Sequence, residues 1–238
     1  MTFSIVAWDE RTGMTGVAVA TKHLAVGALV PHAKSGVGAI ATQAQTNPLL
    51  GIRGLRLLER RVATESIFDE TPADAVIHLL LDHDEQRHER QLHLVDHNGN
   101  AAAWTGRDCV DWAGHRTFPG FSVAGNMLVG PETLDAMAAT YQRTVGVDFC
   151  DRLIMALEAG DAAGGDKRGK QSAALYVMYQ DVYPHLDLRV DHHPNPIGEL
   201  RYLFEESRKD YYQSFRKTMP SHARRPATMD STWLSRAV

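Results

Sequence analysis

Apolar and polar positions along the chain change rhythm several times, and each change marks an expected element. Thr2 to Trp8 and Met14 to Thr21 are apolar and rich in β-branched residues, separated by the turn-like Asp9-Glu10-Arg11-Thr12-Gly13. This reads as a hairpin of two strands. A turn centred near Arg11 and Thr12 sets a register in which Thr21, Lys22 and His23 lie beside Thr2. A second pair is expected over Val26 to Val30 and Val37 to Gln43, broken at Lys34-Ser35-Gly36, so that Thr42 and Gln43 return towards Gly27. The polar ends of several strands then converge near Thr2.

The rhythm next turns helical. Leu49 to Arg61 carries leucines at helical spacing, and Thr71-Pro72 signals the start of a helix running to Asp82. Gln91 to Val95 and Ala101 to Trp104 flank Asn98-Gly99, a strong hairpin signal. Phe121 to Leu128 reads as a strand, and Pro131 to Tyr141 and Phe149 to Ala159 as helices. A glycine-rich loop, Gly160 to Gly169, leads into strands over Ala173 to Met178 and Leu186 to Val190. A turn, Asp191 to Pro196, precedes a final helix from Ile197 to Phe215. Strands and helices come in blocks without βαβ alternation, which favours antiparallel sheets covered by helices, an α+β fold. The expected organisation is one domain over residues 1–217 and a polar, mildly basic tail over 218–238.

Composition narrows the function classes. The chain has 238 residues, 44% hydrophobic and 23% charged, enough to bury a core without staples. Cys109 and Cys150 give neither a disulfide framework nor a ligand pair and suit a reducing, cytoplasmic setting. The first residues lack the basic and apolar regions of a signal peptide, and no apolar run reaches membrane-spanning length. A net charge of −4 argues against general nucleic-acid binding. The expected partner is a small-molecule substrate, with no nucleic acid, no membrane and possible homo-oligomers.

Several stretches, taken jointly and in order, resemble the family catalogued as domain of unknown function 1028. They include Thr2-Phe3-Ser4-Ile5-Val6-Ala7, Ala41-Thr42-Gln43, Trp112-Ala113-Gly114-His115 and Gly125 to Glu132. Gly164 to Leu175 and Leu188 to Ile197 complete the set, and the resemblance runs from residue 2 to about residue 205. The resemblance implies an N-terminal-nucleophile (Ntn) hydrolase-like fold: a four-layer αββα sandwich of two antiparallel sheets between helix layers.

In such a fold Thr2 is the candidate nucleophile. Removal of Met1 would free its α-amine, whose pKa of about 7.7–8.0 lets it accept the proton of its own hydroxyl as that oxygen attacks a carbonyl. The bland alternative is a threonine that merely suits a strand. Asn126, beside Gly125 at a strand end, is the candidate oxyanion donor, against a plain turn-forming role. Asp166 and Arg168 lie in the glycine-rich loop, where Arg168 can clamp a carboxylate and Asp166 hold an amine; a structural ion pair is the alternative. Gln171 and Ser172 end that loop and join it as candidate substrate contacts. Lys22, His23, Thr42 and Gln43 enter as substrate contacts through the hairpin registers alone.

The loop is not a phosphate loop, because Gln171 stands where a hydroxyl residue belongs and a strand follows it. Twelve histidines raise a metal-dependent hydrolase, but there is no His-Glu-x-x-His and no cysteine ligand pair. Neither a metal nor a cofactor is therefore expected. The reading that emerges is an amidohydrolase acting on a small amide or amide-like substrate. A non-catalytic binding or assembly module on the same scaffold stands against it.

Overall fold

The computed structural model describes residues 2–64 and 73–221. Two antiparallel sheets lie face to face, each covered outside by helices, which gives the expected α+β, four-layer αββα sandwich. The larger sheet has six strands. At its centre, β1 (Thr2–Trp8) pairs with β2 (Thr15–Thr21), which pairs with β9 (Ser172–Met178) and then β10 (Leu186–Val190). On its other side β1 pairs with β8 (Phe121–Asn126), followed by the edge strand β7 (Gly114–Phe118). The smaller sheet runs β3 (Pro31–Lys34), β4 (Gly38–Ala44), β5 (Arg90–Asp96), β6 (Ala101–Thr105).

Period-two alternation sorts each strand between two cores. Phe3, Ile5 and Ala7 of β1 face outward beneath α3 (Glu132–Arg143), α4 (Phe149–Ala162) and α5 (Pro196–Ser207). Ile40, Leu92 and Leu94 of the smaller sheet face α1 (Pro48–Thr64) and α2 (Ala73–Leu81). The faces that meet between the sheets carry small residues, including Val6, Val17, Val19, Ala39, Ala41 and Ala174. Small side chains let the two sheets approach closely.

Three expectations shift. The strand expected over Val26 to Val30 is a short 3-10 turn, Val26–Ala28. Ala25 takes a left-handed φ of 53°, the Ser172 hydroxyl occupies the Val26 N–H, and pairing resumes only at Pro31. The single final helix is two, α5 and α6 (Asp210–Thr218), split at an extended Lys209 where the Gln213 side chain takes the Ser207 carbonyl. Strand β7 carried no apolar alternation to announce it, since an edge strand of sequence Gly-His-Arg-Thr-Phe meets a neighbour on one side only. The helix signal Thr71-Pro72, Met1 and residues 222–238 of the expected tail lie outside the described residues.

Candidate functional site

The register of the larger sheet lines four polar residues across it at one end. Thr2 pairs with Asn126 on one side and Thr21 on the other, and Thr21 pairs with Ser172. Directly opposed residues share a face, so all four point towards the smaller sheet. The Thr2 and Thr21 hydroxyls lie 3.2 Å apart, and Thr2 is 6% exposed.

Behind this row is a sealed polar network joining the sheets. Gln91 of β5 is its hub. Its Nε2 shares two protons among three acceptors, the carbonyls of Gly125 (2.8 Å) and Gly114 (3.0 Å) and the Thr105 hydroxyl, and Oε1 accepts from Asn126 Nδ2 (2.9 Å) and Gln43 Nε2 (2.8 Å). Backbone carbonyls only accept, so they fix which way every amide points. Gln43 Oε1 must then accept from Ser4 Oγ, 2.7 Å away. With its one proton committed, Ser4 Oγ has none to give His93 Nε2, 2.8 Å away, and the Ser122 hydroxyl, 3.2 Å from His93 Nδ1, gives its own proton to Arg116 O at 3.1 Å.

Burial decides a tempting alternative. Ser4 and His93 stand at the distance of a nucleophile and its base, but the Ser4 proton is committed to Gln43 and neither side chain reaches the surface. Both residues are fully buried, and burial, helped by the positive charge of a protonated His115 nearby, lowers the His93 pKa to about 3. His93 is a neutral structural link.

Among the described residues, the left-handed non-glycine positions are Ala25, Ala44 and Met127, with φ of 53°, 66° and 54°. Each lies where a strand ends at the polar row or its network: Ala25 four residues beyond Thr21 of β2, Ala44 as the last residue of β4 directly after Gln43, and Met127 directly after Asn126 of β8. Such conformations cost about 1 kcal/mol or more apiece and cluster where geometry matters more than local stability. Their concentration at one end singles it out as the candidate site.

The family model described as "Family of unknown function (DUF1028)" matches residues 2–200. The chain belongs to this family. Within DUF1028, a crystal structure of a Silicibacter pomeroyi protein is similar, with 33% identity, a TM-score of 0.83, and coverage of 93% of this chain and 96% of that one. The ancestral β-subunit Anbu from Yersinia bercovieri gives a far more distant likeness, 13% identity and a TM-score of 0.36 over 92% of this chain and 98% of the other. No curated protein matches the chain.

For this DUF1028 chain the sequence candidates separate into three groups. Thr2 and Asn126 are paired neighbours, with Gln43 two hydrogen bonds from Asn126 through Gln91. Gln43 has both ends of its amide committed inside the network. A second group is spent on the local backbone. Asp166, buried, accepts from the N–H groups of Lys22 (3.0 Å) and Arg168 (2.7 Å), tying the glycine-rich loop to the end of β2. Ser172 Oγ donates to His23 O (2.6 Å) and accepts from Val26 N. Gln171 bonds Thr21 O through its backbone. The side chains of Lys22, His23 and Arg168 are exposed around this rim, with Arg168 3.5 Å from Asp166.

Thr42 stands apart. It pairs with Leu92, faces the helices rather than the other sheet, and donates to Asn47 O. Sequence reasoning missed Ser4, Gln91, His93 and Ser122. Gln91 and His93 alternate with Leu92 and Leu94, a signal that a strand with one wet face also gives. Among the described residues no group of three or more His, Cys, Asp or Glu side chains is placed to hold a metal ion, and no helix is long and apolar enough to cross a membrane.

Proposed function

We propose that this protein is an Ntn-type amidohydrolase, with the Thr2 hydroxyl as nucleophile and the Thr2 α-amine, once Met1 is removed, as base. The observation that carries the reading is the pairing of Thr2 with Asn126 at the end of the central strand, within a row whose neighbours are strained and cross-braced. A nucleophile at the first position of a central strand is held by ladder hydrogen bonds on both sides, which limits the motion that misaligns attack. Asn126 gives one amide proton to Gln91 and offers the other to the developing oxyanion. The α-amine takes the hydroxyl proton during attack and returns it to the leaving amine; water then cleaves the acyl ester by the reverse proton path. Lys22 and Arg168, with His23 beside Lys22, put two cations on a rim suited to a substrate that carries a carboxylate beside its amide.

The test is hydrolysis of a panel of N-acyl amides by protein carrying no N-terminal tag. Thr2→Ala should fold and lose turnover at least about 100-fold, while Thr2→Ser keeps part of it. Undiminished turnover in Thr2→Ala contradicts the reading. One observation favours a second reading, a non-catalytic binding or assembly module: Thr2 is buried, only 6% exposed.

A further inference from the structure

The other end of β1 holds a cavity that the Thr2 chemistry does not use. Six residue steps separate Thr2 from Trp8, about 20 Å along an extended strand. There a cavity of about 480 Å³ opens between Trp8, Phe118, Phe121, Tyr141, Gln142 and Arg152. Its floor is backbone. Trp8 N–H donates to Gly120 O and Gly120 N–H to Gly99 O, joining the hairpin tip of β5–β6 to that of β7–β8. Both glycines are left-handed, with φ of 80° and 83°, and a Cβ at Gly99 would sit 3.1 Å from the Trp8 ring. The joint therefore tolerates no side chain at Gly99 without moving the cavity wall.

The walls are aromatic and incompletely paired. Phe118 and Phe121 stack with centroids 4.7 Å apart, and Phe121 lies 4.7 Å from Tyr141 at a tilt of 47°. The Arg152 guanidinium lies 4.0 Å over the Tyr141 ring, gives one N–H to Tyr141 O, and stops 3.6 Å short of Asp9, beyond hydrogen-bond reach. The Tyr141 hydroxyl and Arg152 Nε are buried without a partner. Two unmet donors beside an aromatic cleft ask for an acceptor on a flat ring. Asp9 offsets the arginine charge and Glu10 adds an anion at the rim, so a neutral acceptor fits better than a carboxylate.

We propose that this cavity binds a small, neutral planar aromatic molecule bearing a carbonyl oxygen, of which an aromatic carboxamide is the simplest. The ring slots between Trp8 and the phenylalanines. The carbonyl draws the loosely held guanidinium and the tyrosine hydroxyl towards it, satisfying both. The site is independent of Thr2.

Benzamide is the probe, titrated to about 10 mM, a range suited to a ligand of this size, against nitrogen-15-labelled protein. The Trp8 indole N–H resonance, assigned by its loss in Trp8→Phe, should shift and approach saturation, in wild type and in Thr2→Ala alike. Tyr141→Phe, which removes an unpartnered hydroxyl, should fold with an unchanged or higher Tm and bind benzamide about tenfold more weakly. Benzoate should bind more weakly than benzamide. An unmoved Trp8 resonance, equal benzamide affinity in Tyr141→Phe, or tighter binding of benzoate would each overturn the proposal.

Discussion

The two faces of the larger sheet are both buried, yet they are built from opposite materials. Towards α3, α4 and α5 the strands present Phe3, Ile5, Val123 and Leu175 to a continuous apolar core. Towards the smaller sheet, valine and alanine fill one region, while Ser4, Gln43, Gln91, His93 and Ser122 fill the region behind Thr2. The apolar face stabilises by area and volume, which are forgiving of direction. The polar face stabilises only if every donor meets an acceptor, so it fixes orientation as well as position. That is what an amide beside the proposed nucleophile needs.

Substitutions that act differently on the two faces test this contrast. The largest effect is expected from Gln91→Leu, which strands the Asn126 and Gln43 amide protons and the Gly125 and Gly114 carbonyls together. At about 1–3 kcal/mol per unsatisfied group, partly relieved by relaxation, it should cost about 4 kcal/mol in denaturant unfolding. Leu153→Ala, on the apolar face, should cost about 3 kcal/mol through the cavity it leaves and should spare the geometry around Thr2.

Acid separates the faces next. His93 has a folded pKa near 3 against 6.5 for an exposed histidine, so between these values the unfolded chain binds the extra proton. Its contribution is fully present above pH 6.5 and is lost progressively as pH falls towards 3. At pH 5 the loss relative to pH 7 should be about 2 kcal/mol. Burial lowers the pKa of His115, His32 and His185 as well, adding in the same direction. His93→Gln should flatten the slope seen between pH 7 and pH 5. The smallest effect is that of Ser172→Ala, about 1 kcal/mol for the lost His23 and Val26 bonds, with looser packing of the 3-10 turn.

How far the sequence foretold this follows from the same contrast. The hairpin register placed Thr21 beside Thr2, because a tight turn and two strands of equal length leave little freedom. The outer faces announced themselves through apolar alternation. The polar inner face did not, because glutamine and histidine alternating with leucine look alike whether they meet water or a second sheet. Thr42 was drawn in with Gln43 as a strand end, but adjacent strand residues face opposite ways, and only Gln43 faces the site. Asp166 was marked by its loop, and its carboxylate proved to organise that loop. The glycine-lined cavity at Trp8 left no motif, since its walls come from distant segments.

The central claim, that Thr2 is a nucleophile, is tested most directly by treating the native protein with an acylating β-lactone and locating the adduct by peptide mass spectrometry. The account predicts one acyl group, on the peptide that begins with Thr2, and none on Thr2→Ala. Labelling elsewhere with Thr2 untouched, in protein that has lost Met1, would contradict it.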